Sequence, residues 1–466
     1  MIASLYRLGR DLREGRAAAG ALTHQCLERL AATDHRLGAY RLATSQIARD
    51  AAAAADAAFA CGADPGPLAG IPVSIKDLYG MRGLDSYAGS PRPVPPPWQA
   101  EGPLVRLLRD QLAVPVGKTH TVEFAFGGLG VNSHWGTPMN PWDMAAHRVP
   151  GGSSAGAGVS LVQGSALVAL GTDTAGSVRI PASMTGTVGL KTSYGRWPLA
   201  GIFPLSPSLD TAGILARTVE DVAFAFAAMD PYVEESPWQF VDALRRERDS
   251  APVLGEGEPA LWEDCDDAVI TPVIEALAEL ERAGATRVDA PLPEAATAQE
   301  LLRKGNVVSA EIAELLASEM PEWLDTLDPL VGTRIRDGGS ISAAEWLSRK
   351  RQLGRLARAS AGRFDNCEVM VCPTVTIPVP TLDSVSELDG YRSANMACLH
   401  NTCAGNSLDL CALSMPAGAD AAGMPVGLQL IAPHGAEEEL LSAALWIEDH
   451  IGGAAERLGR PPEVPA

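Results

Sequence analysis

Apolar and polar positions change texture about 65 residues into the chain. Before that point, "DLREGRAAAGALTHQCLERLAA" and the alanine-rich "SQIARDAAAAADAAFACG" carry apolar residues at helical spacing with charged faces and stop near glycine, which predicts a helical N-terminal layer over residues 1–65. From "LAGIPVSIKD" onward, short β-branched runs alternate with longer helical patterns. "GPLVRLLRDQL" reads as helix and "AVPVGKT" as strand; "SSAGAGVSLVQG" reads as helix and "SALVALGTDT" as strand. "RTVEDVAFAFAAMD" opens on a Thr218 to Asp221 capping pattern. "EVMVCPT", "DLCALSMP" and "VGLQLIAP" are strand-like, and "GAEEELLSAALWIEDHIG" is an amphipathic helix. Repeated strand and helix of this kind predicts an α/β sheet covered on both faces. The stretch from Asp230 to Pro259, rich in Pro, Glu and Gly, reads as a connection or insertion, and the prolines of "SPRPVPPPWQ" require a loop. With no internal repeat and no long linker, residues 1–466 read as one large domain.

Bulk properties narrow the partners. At 466 residues and 46% hydrophobic the chain can bury a large core, while a formal charge of -20 argues against a surface that neutralises phosphates, so nucleic acid is not the expected partner. Eight scattered cysteines fit free thiols in a reducing compartment. Their two C-x4-C pairs lack the spacing of zinc ligands, so no metal is expected. The start, "MIASLYRLGRDLREGRAAAG", reads as neither signal peptide nor anchor, and no apolar run is long enough to span a bilayer. The expectation is a cytoplasmic protein with no membrane partner.

Phosphate loops fail on inspection. "VGKTH" lacks the first Walker glycine, position 112 being Leu, and "GGSSAGAG" lacks the dinucleotide order and follows "HRVP" rather than a strand. A better candidate for chemistry is "ALGTDTAGSVRIPA", where Ser177 sits in a turn of small residues after an apolar strand. A serine hydroxyl needs a base. The eight histidines are dispersed, with none in a serine-hydrolase context; His120 and His134 flank an ordered-looking loop. Lysine is the other choice: Lys76 ends the strand-like "GIPVSIK", where desolvation can lower its pKa from ~10.4 far enough to make the neutral amine available. The alternative for Lys76 is an ordinary strand-end lysine that reaches solvent or pairs with Asp77.

"GIPVSIKD", "PGGSSAGAG" and "GTDTAGSVRIPASMTGTVGLKTSYGR" together resemble the amidase signature family, hydrolases with a Ser, cis-Ser and Lys triad. The resemblance extends through "PLSPSLDTAGILARTVEDVA", "VMVCPTVTIPVP" and "GMPVGLQLIAP", from about Leu68 to Pro433. It implies a central twisted mixed β-sheet with helices on both faces: a signature core over 68–220, a more variable helical part over 230–360, and strands and a helix over 365–466 that complete the sheet. By the same resemblance Ser177 matches the acyl-accepting nucleophile, Ser153 the bridging serine held by a cis peptide, and Lys76 the general base. Backbone N–H groups of Thr174, Ala175, Gly176 and Ser177 are expected to face the oxyanion, with Gly127 and Gly128 bordering the acyl pocket. Ser154 and Arg179 are expected to support the loop, and Tyr79, Asn132 and Trp197 either line the pocket or pack.

Ala175 stands where the family usually has glycine, a trait shared with allophanate hydrolases. The implied activity is hydrolysis of a carboxylic amide or small ureide to acid and ammonia or amine, with no cofactor. Alternatives are the glutaminase subunit of a tRNA-dependent amidotransferase, a urea-derivative hydrolase of the allophanate or biuret type, or an inactive binding homologue. Against the glutaminase reading, the place of the family's glutamine-binding arginine, counted back from Pro373, falls at Leu353. Homodimers are common among relatives, and the implied partner is a small-molecule amide.

Overall fold

In "PVSIK" every residue is buried, as a strand covered on both faces must be. This computed structural model describes residues 3–246, 248, 250–462 and 464. Its strands are β1 (Tyr40–Ala43), β2 (Pro72–Lys76), β3 (Val114–Thr119), β4 (Val168–Asp173), β5 (Val188–Lys191), β6 (Thr211–Ala216), β7 (Val253–Glu256), β8 (Thr286–Asp289), β9 (Val369–Pro373), β10 (Cys411–Ala419) and β11 (Pro425–Ala432). They form one 11-stranded mixed sheet in the order β1-β3-β2-β4-β6-β5-β10-β11-β9-β7-β8. β2 runs parallel to both β3 and β4, and β7 parallel to both β8 and β9. Six strands from the first half reach as far as β5, three others form the block β9-β7-β8, and the antiparallel hairpin β10-β11 lies between them, bonded to β5 on one side and β9 on the other.

Central strands β4, β6 and β11 are buried at every residue, while the outermost, β8, is exposed at both ends. The N-terminal layer is helical over Leu5–Arg13, Ala19–Leu37 and Ser45–Ala60, but it is not all helix: strand β1 lies between the last two and pairs antiparallel with β3 at the sheet edge. Gly15, at φ +68°, separates the first two, which the apolar pattern had merged. The Thr218 cap forms, its hydroxyl accepting from Asp221 N–H at 3.1 Å. Asp221 does not return the bond to Thr218; its carboxylate takes Leu5 N–H at 2.6 Å and so fastens the first helix to the sheet's cover.

Two expectations change. The stretch from Asp230 to Pro259 is no mere connection: it contains the helix Pro237–Arg246 and strand β7, with Glu247 and Asp249 outside the described residues. β7 has only four residues, two of them half-buried, so its pattern is too short to stand out among the surrounding Pro, Glu and Gly. The C-terminal helix Glu437–Ile451 is followed by a further short helix, Ala454–Leu458. Met1, Ile2, Glu463, Pro465 and Ala466 also lie outside the described residues.

Candidate active site

Strands β2 and β4 are parallel neighbours, with Ile75 beside Leu170, so Lys76 and Asp173 leave the sheet together at its carboxyl edge. Ligands of open α/β sheets bind at such edges. Lys76 is fully buried, and its Nζ donates to Ser153 Oγ and to Thr172 Oγ1, each at 2.8 Å. No carboxylate pairs with it among the described residues. Burial drives its pKa down to about 7, against the upward pull of Asp173 and Asp210.

Ser153 follows a cis peptide bond from Gly152. Its loop is held from both sides: Gly152 N–H donates to Gly128 O at 2.7 Å, and Val122 N–H to Ser153 O at 3.2 Å. Ser154 ties this loop to the next, its hydroxyl donating to Ser177 O at 2.5 Å.

The turn carrying Ser177 is shaped by Asp173. Its carboxylate accepts Gly176 N–H at 2.8 Å, Val178 N–H at 3.1 Å and two bonds from the Arg179 guanidinium at 2.9 and 3.1 Å. Burial alone would raise the Asp173 pKa; the Arg179 charge and hydrogen bonds overcome it and bring the group down to about 2. Arg179 then reaches Gln429 Oε1 and Asn406 Oδ1, both at 2.7 Å, which anchors the turn to β11 and to the segment before β10. Gly176 has φ +136°, and a Cβ there would lie 2.2 Å from Thr402 Oγ1, so only glycine fits.

Ser177 borders a cleft whose space, open mouth included, is about 420 Å³, together with Thr174, Ala175, Phe126 and Gly127. Ser177 Oγ makes no hydrogen bond to Ser153 or to any other group among the described residues, and its side chain borders the cleft instead. The N–H groups of Thr174, Ala175 and Ser177 likewise meet no acceptor among the described residues, and so are available to a ligand.

Two expected pocket residues lie elsewhere. Gly176 N–H is consumed by Asp173 and cannot serve an oxyanion. Gly128 N–H donates to Asn395 Oδ1 at 2.7 Å, and its carbonyl holds the Ser153 loop. Tyr79, Asn132 and Trp197 pack rather than line the cleft: their polar ends bond Gly171 O, the Gly89 and Thr121 carbonyls, and Asp230. No histidine borders the cleft, and burial pushes His120 down to about 4. Among the described residues no group of three or more His, Cys, Asp or Glu side chains is gathered as for a metal ion, and no helix is long and apolar enough to cross a membrane.

Sequence reasoning missed Thr172, Asp173, Asp210 and Arg334. Asp210 accepts Thr174 Oγ1 at 2.6 Å and the Leu205 and Ser206 N–H groups at 2.9 Å; burial lifts its pKa to about 6 against those bonds. Thr172 and Asp173 lie in the quoted "GTDT", but only the β2/β4 register reveals their work.

Comparison with known proteins places this geometry. Residues 21–441 match the family model described as Amidase. A 2-amino-5-chloromuconic acid deaminase from Comamonas testosteroni is 50% identical over 98% of each chain. One component of the glutamyl-tRNA(Gln) amidotransferase from Synechococcus sp. (strain RCC307) is 33% identical over 97% of this chain and 98% of its own. The crystal structure of an amidase superposes with a TM-score of 0.84 at 30% identity, over 96% of this chain and 99% of that one.

Proposed function

The chain belongs to the amidase family and is an amidohydrolase acting on carbon–nitrogen bonds; on that premise we propose that Ser177, Ser153 and Lys76 carry the reaction through an acyl-enzyme. Ser177 Oγ attacks the carbonyl carbon of a small amide. Its proton passes to Ser153 Oγ, whose own proton goes to the neutral Lys76 amine. The oxyanion is received by the free N–H groups of the 174–177 turn, other than that of Gly176. On collapse, the Lys76 ammonium returns a proton through Ser153 to the departing nitrogen, and water then releases the acid from Ser177.

The observation that carries this reading is the Lys76 amine: fully buried, without a carboxylate partner among the described residues, and 2.8 Å from Ser153 Oγ. A lysine built for structure alone would be paired or would reach solvent. Thr172 holds Nζ from a second side, so the amine is aimed as well as desolvated. Substrate binding has one task left, to bring Ser177 Oγ onto Ser153, a contact that commonly tightens only in the complex.

Fifty per cent identity across nearly the whole chain favours, within this class, a substrate like that of the 2-amino-5-chloromuconic acid deaminase, from which ammonia leaves. The expected setting is the cytoplasm, without cofactor. Fluorophosphonate labelling with peptide mapping tests the assignment: an adduct on Ser177 that disappears in Ser177→Ala supports it, whereas folded, ammonia-releasing enzyme that takes no adduct there overturns it.

A further inference from the structure

One cation in the cleft has no carboxylate partner among the described residues. Arg334, on the helix Pro329–Gly338, borders the same space as Ser177. Its Nη1 donates to Phe126 O at 3.1 Å, and its guanidinium carbon lies 3.9 Å from the centre of the Phe126 ring. Beside it stands the buried Tyr391 hydroxyl, whose polar neighbour is Arg334 itself. Burial pulls the Arg334 pKa down, and no carboxylate pairs with Arg334 among the described residues. In a chain with 57 acidic and 37 basic side chains, an inward-facing arginine without an acid is a costly exception.

The helix is held firmly enough to give that exception a use. Asp328, its N-cap, takes Leu330 N–H at 2.9 Å and both the N–H and hydroxyl of Ser133 at 2.8 Å. The Asp328 N–H in turn donates to Glu123 Oε2 at 2.7 Å. Arg334 is therefore presented on a fixed support, with the fork of N–H donors that a carboxylate fits. Leu302, Leu399 and Leu205 supply apolar cleft wall for a short carbon chain.

We propose that Arg334 seats a carboxylate of the substrate, so that Ser177 acts on small acids bearing the scissile carbon–nitrogen bond in preference to neutral amides of the same length. The assignment rests on the reading of the Ser177 cleft as the active site. The carboxylate would supply the missing counter-charge, and Phe126 and Tyr391 would flank it.

Two measurements test this. Ammonia release from succinamic acid and from butyramide gives a selectivity ratio in kcat/KM. Arg334→Met is expected to lower that ratio about 10- to 100-fold, the range for losing hydrogen bonds to a charged group, and Arg334→Lys to recover part of it. A ratio that does not move, or wild-type enzyme that prefers butyramide, overturns the proposal. Calorimetric binding of dicarboxylates from malonate to adipate needs no turnover, and so separates this proposal from the catalytic one. At least one should bind the wild-type protein and the Ser177→Ala variant, and bind Arg334→Met at least tenfold more weakly. If none binds, or if Arg334→Met binds them equally, Arg334 is not a carboxylate receptor, whatever the ammonia assay shows.

Discussion

Lowering the pH from 8 to 6 should switch off one residue. With the Lys76 pKa near 7, about 91% of the enzyme holds a neutral amine at pH 8 and about 9% at pH 6, so kcat/KM should fall about tenfold. It should decline tenfold per unit below pH 6 and level off above pH 8. An ordinary lysine with a pKa of ~10.4 would be neutral in roughly 1 molecule in 2,500 at pH 7, and the rate would climb without a plateau to pH 9. The assay is initial-rate ammonia release in a constant-ionic-strength buffer series. A log(kcat/KM) that still rises with unit slope between pH 8 and 9.5, or that is flat from pH 5, refutes the assignment of Lys76 as the buried base.

Stability supplies a companion measurement with its own sign. Because the folded pKa of Lys76 lies below the unfolded one, the unfolded chain binds the extra proton between about pH 7 and 10.4, and this contribution to stability rises with pH across that window. Below pH 7 burying the cation costs about 5 kcal/mol, an order-of-magnitude figure from ~1.4 kcal/mol per unit. Lys76→Met removes that cost and forfeits two hydrogen bonds of about 1 kcal/mol each. The inactive variant should therefore melt a few degrees higher at pH 7, with the gain fading toward pH 10.

Other substitutions separate chemistry from scaffold. Gly176→Ala places a Cβ 2.2 Å from Thr402 Oγ1 at φ +136° and should cost more than about 3 kcal/mol together with nearly all activity, read by thermal melting and turnover. Asp173→Asn leaves the Arg179 charge buried without its acid, and a loss of about 3 to 5 kcal/mol in chemical denaturation is expected. Ser153→Ala keeps Ser177 and the free N–H groups but breaks the path to Lys76; kcat should fall at least 10²-fold, within the range for general base catalysis, while a slow residue of activity survives.

The sheet's long central strands were legible because fully buried runs such as "SALVALGTDT" announce themselves. The four-residue strands β1, β7 and β8, at or next to the sheet edges, were not, since their mixed burial imitates a loop. At the site, Lys76, Ser153 and Ser177 could be named from contiguous motifs. The Gly176 N–H, expected from its place beside Ser177 to face an oxyanion, is taken by the Asp173 carboxylate, a bond that only the folded turn reveals. Arg334 lies 157 residues beyond Ser177 in an ordinary amphipathic helix. Nothing local to "PLVGTRIRDG" says that one of its arginines turns inward.

The hairpin β10-β11 sets an order on how the protein comes into being. Until residues 411–432 have left the ribosome, β5 and β9 are both raw sheet edges, each with backbone groups that only the hairpin satisfies. The same late segment brings Gln429 to Arg179, with Asn406 arriving just before it. A nascent chain that already contains Lys76, Ser153 and Ser177 thus lacks the brace for the Ser177 turn. On the proposed assignment a competent site forms only once residues 406–432 have been made, and a chain stopped before them is an unclosed sheet exposed to aggregation.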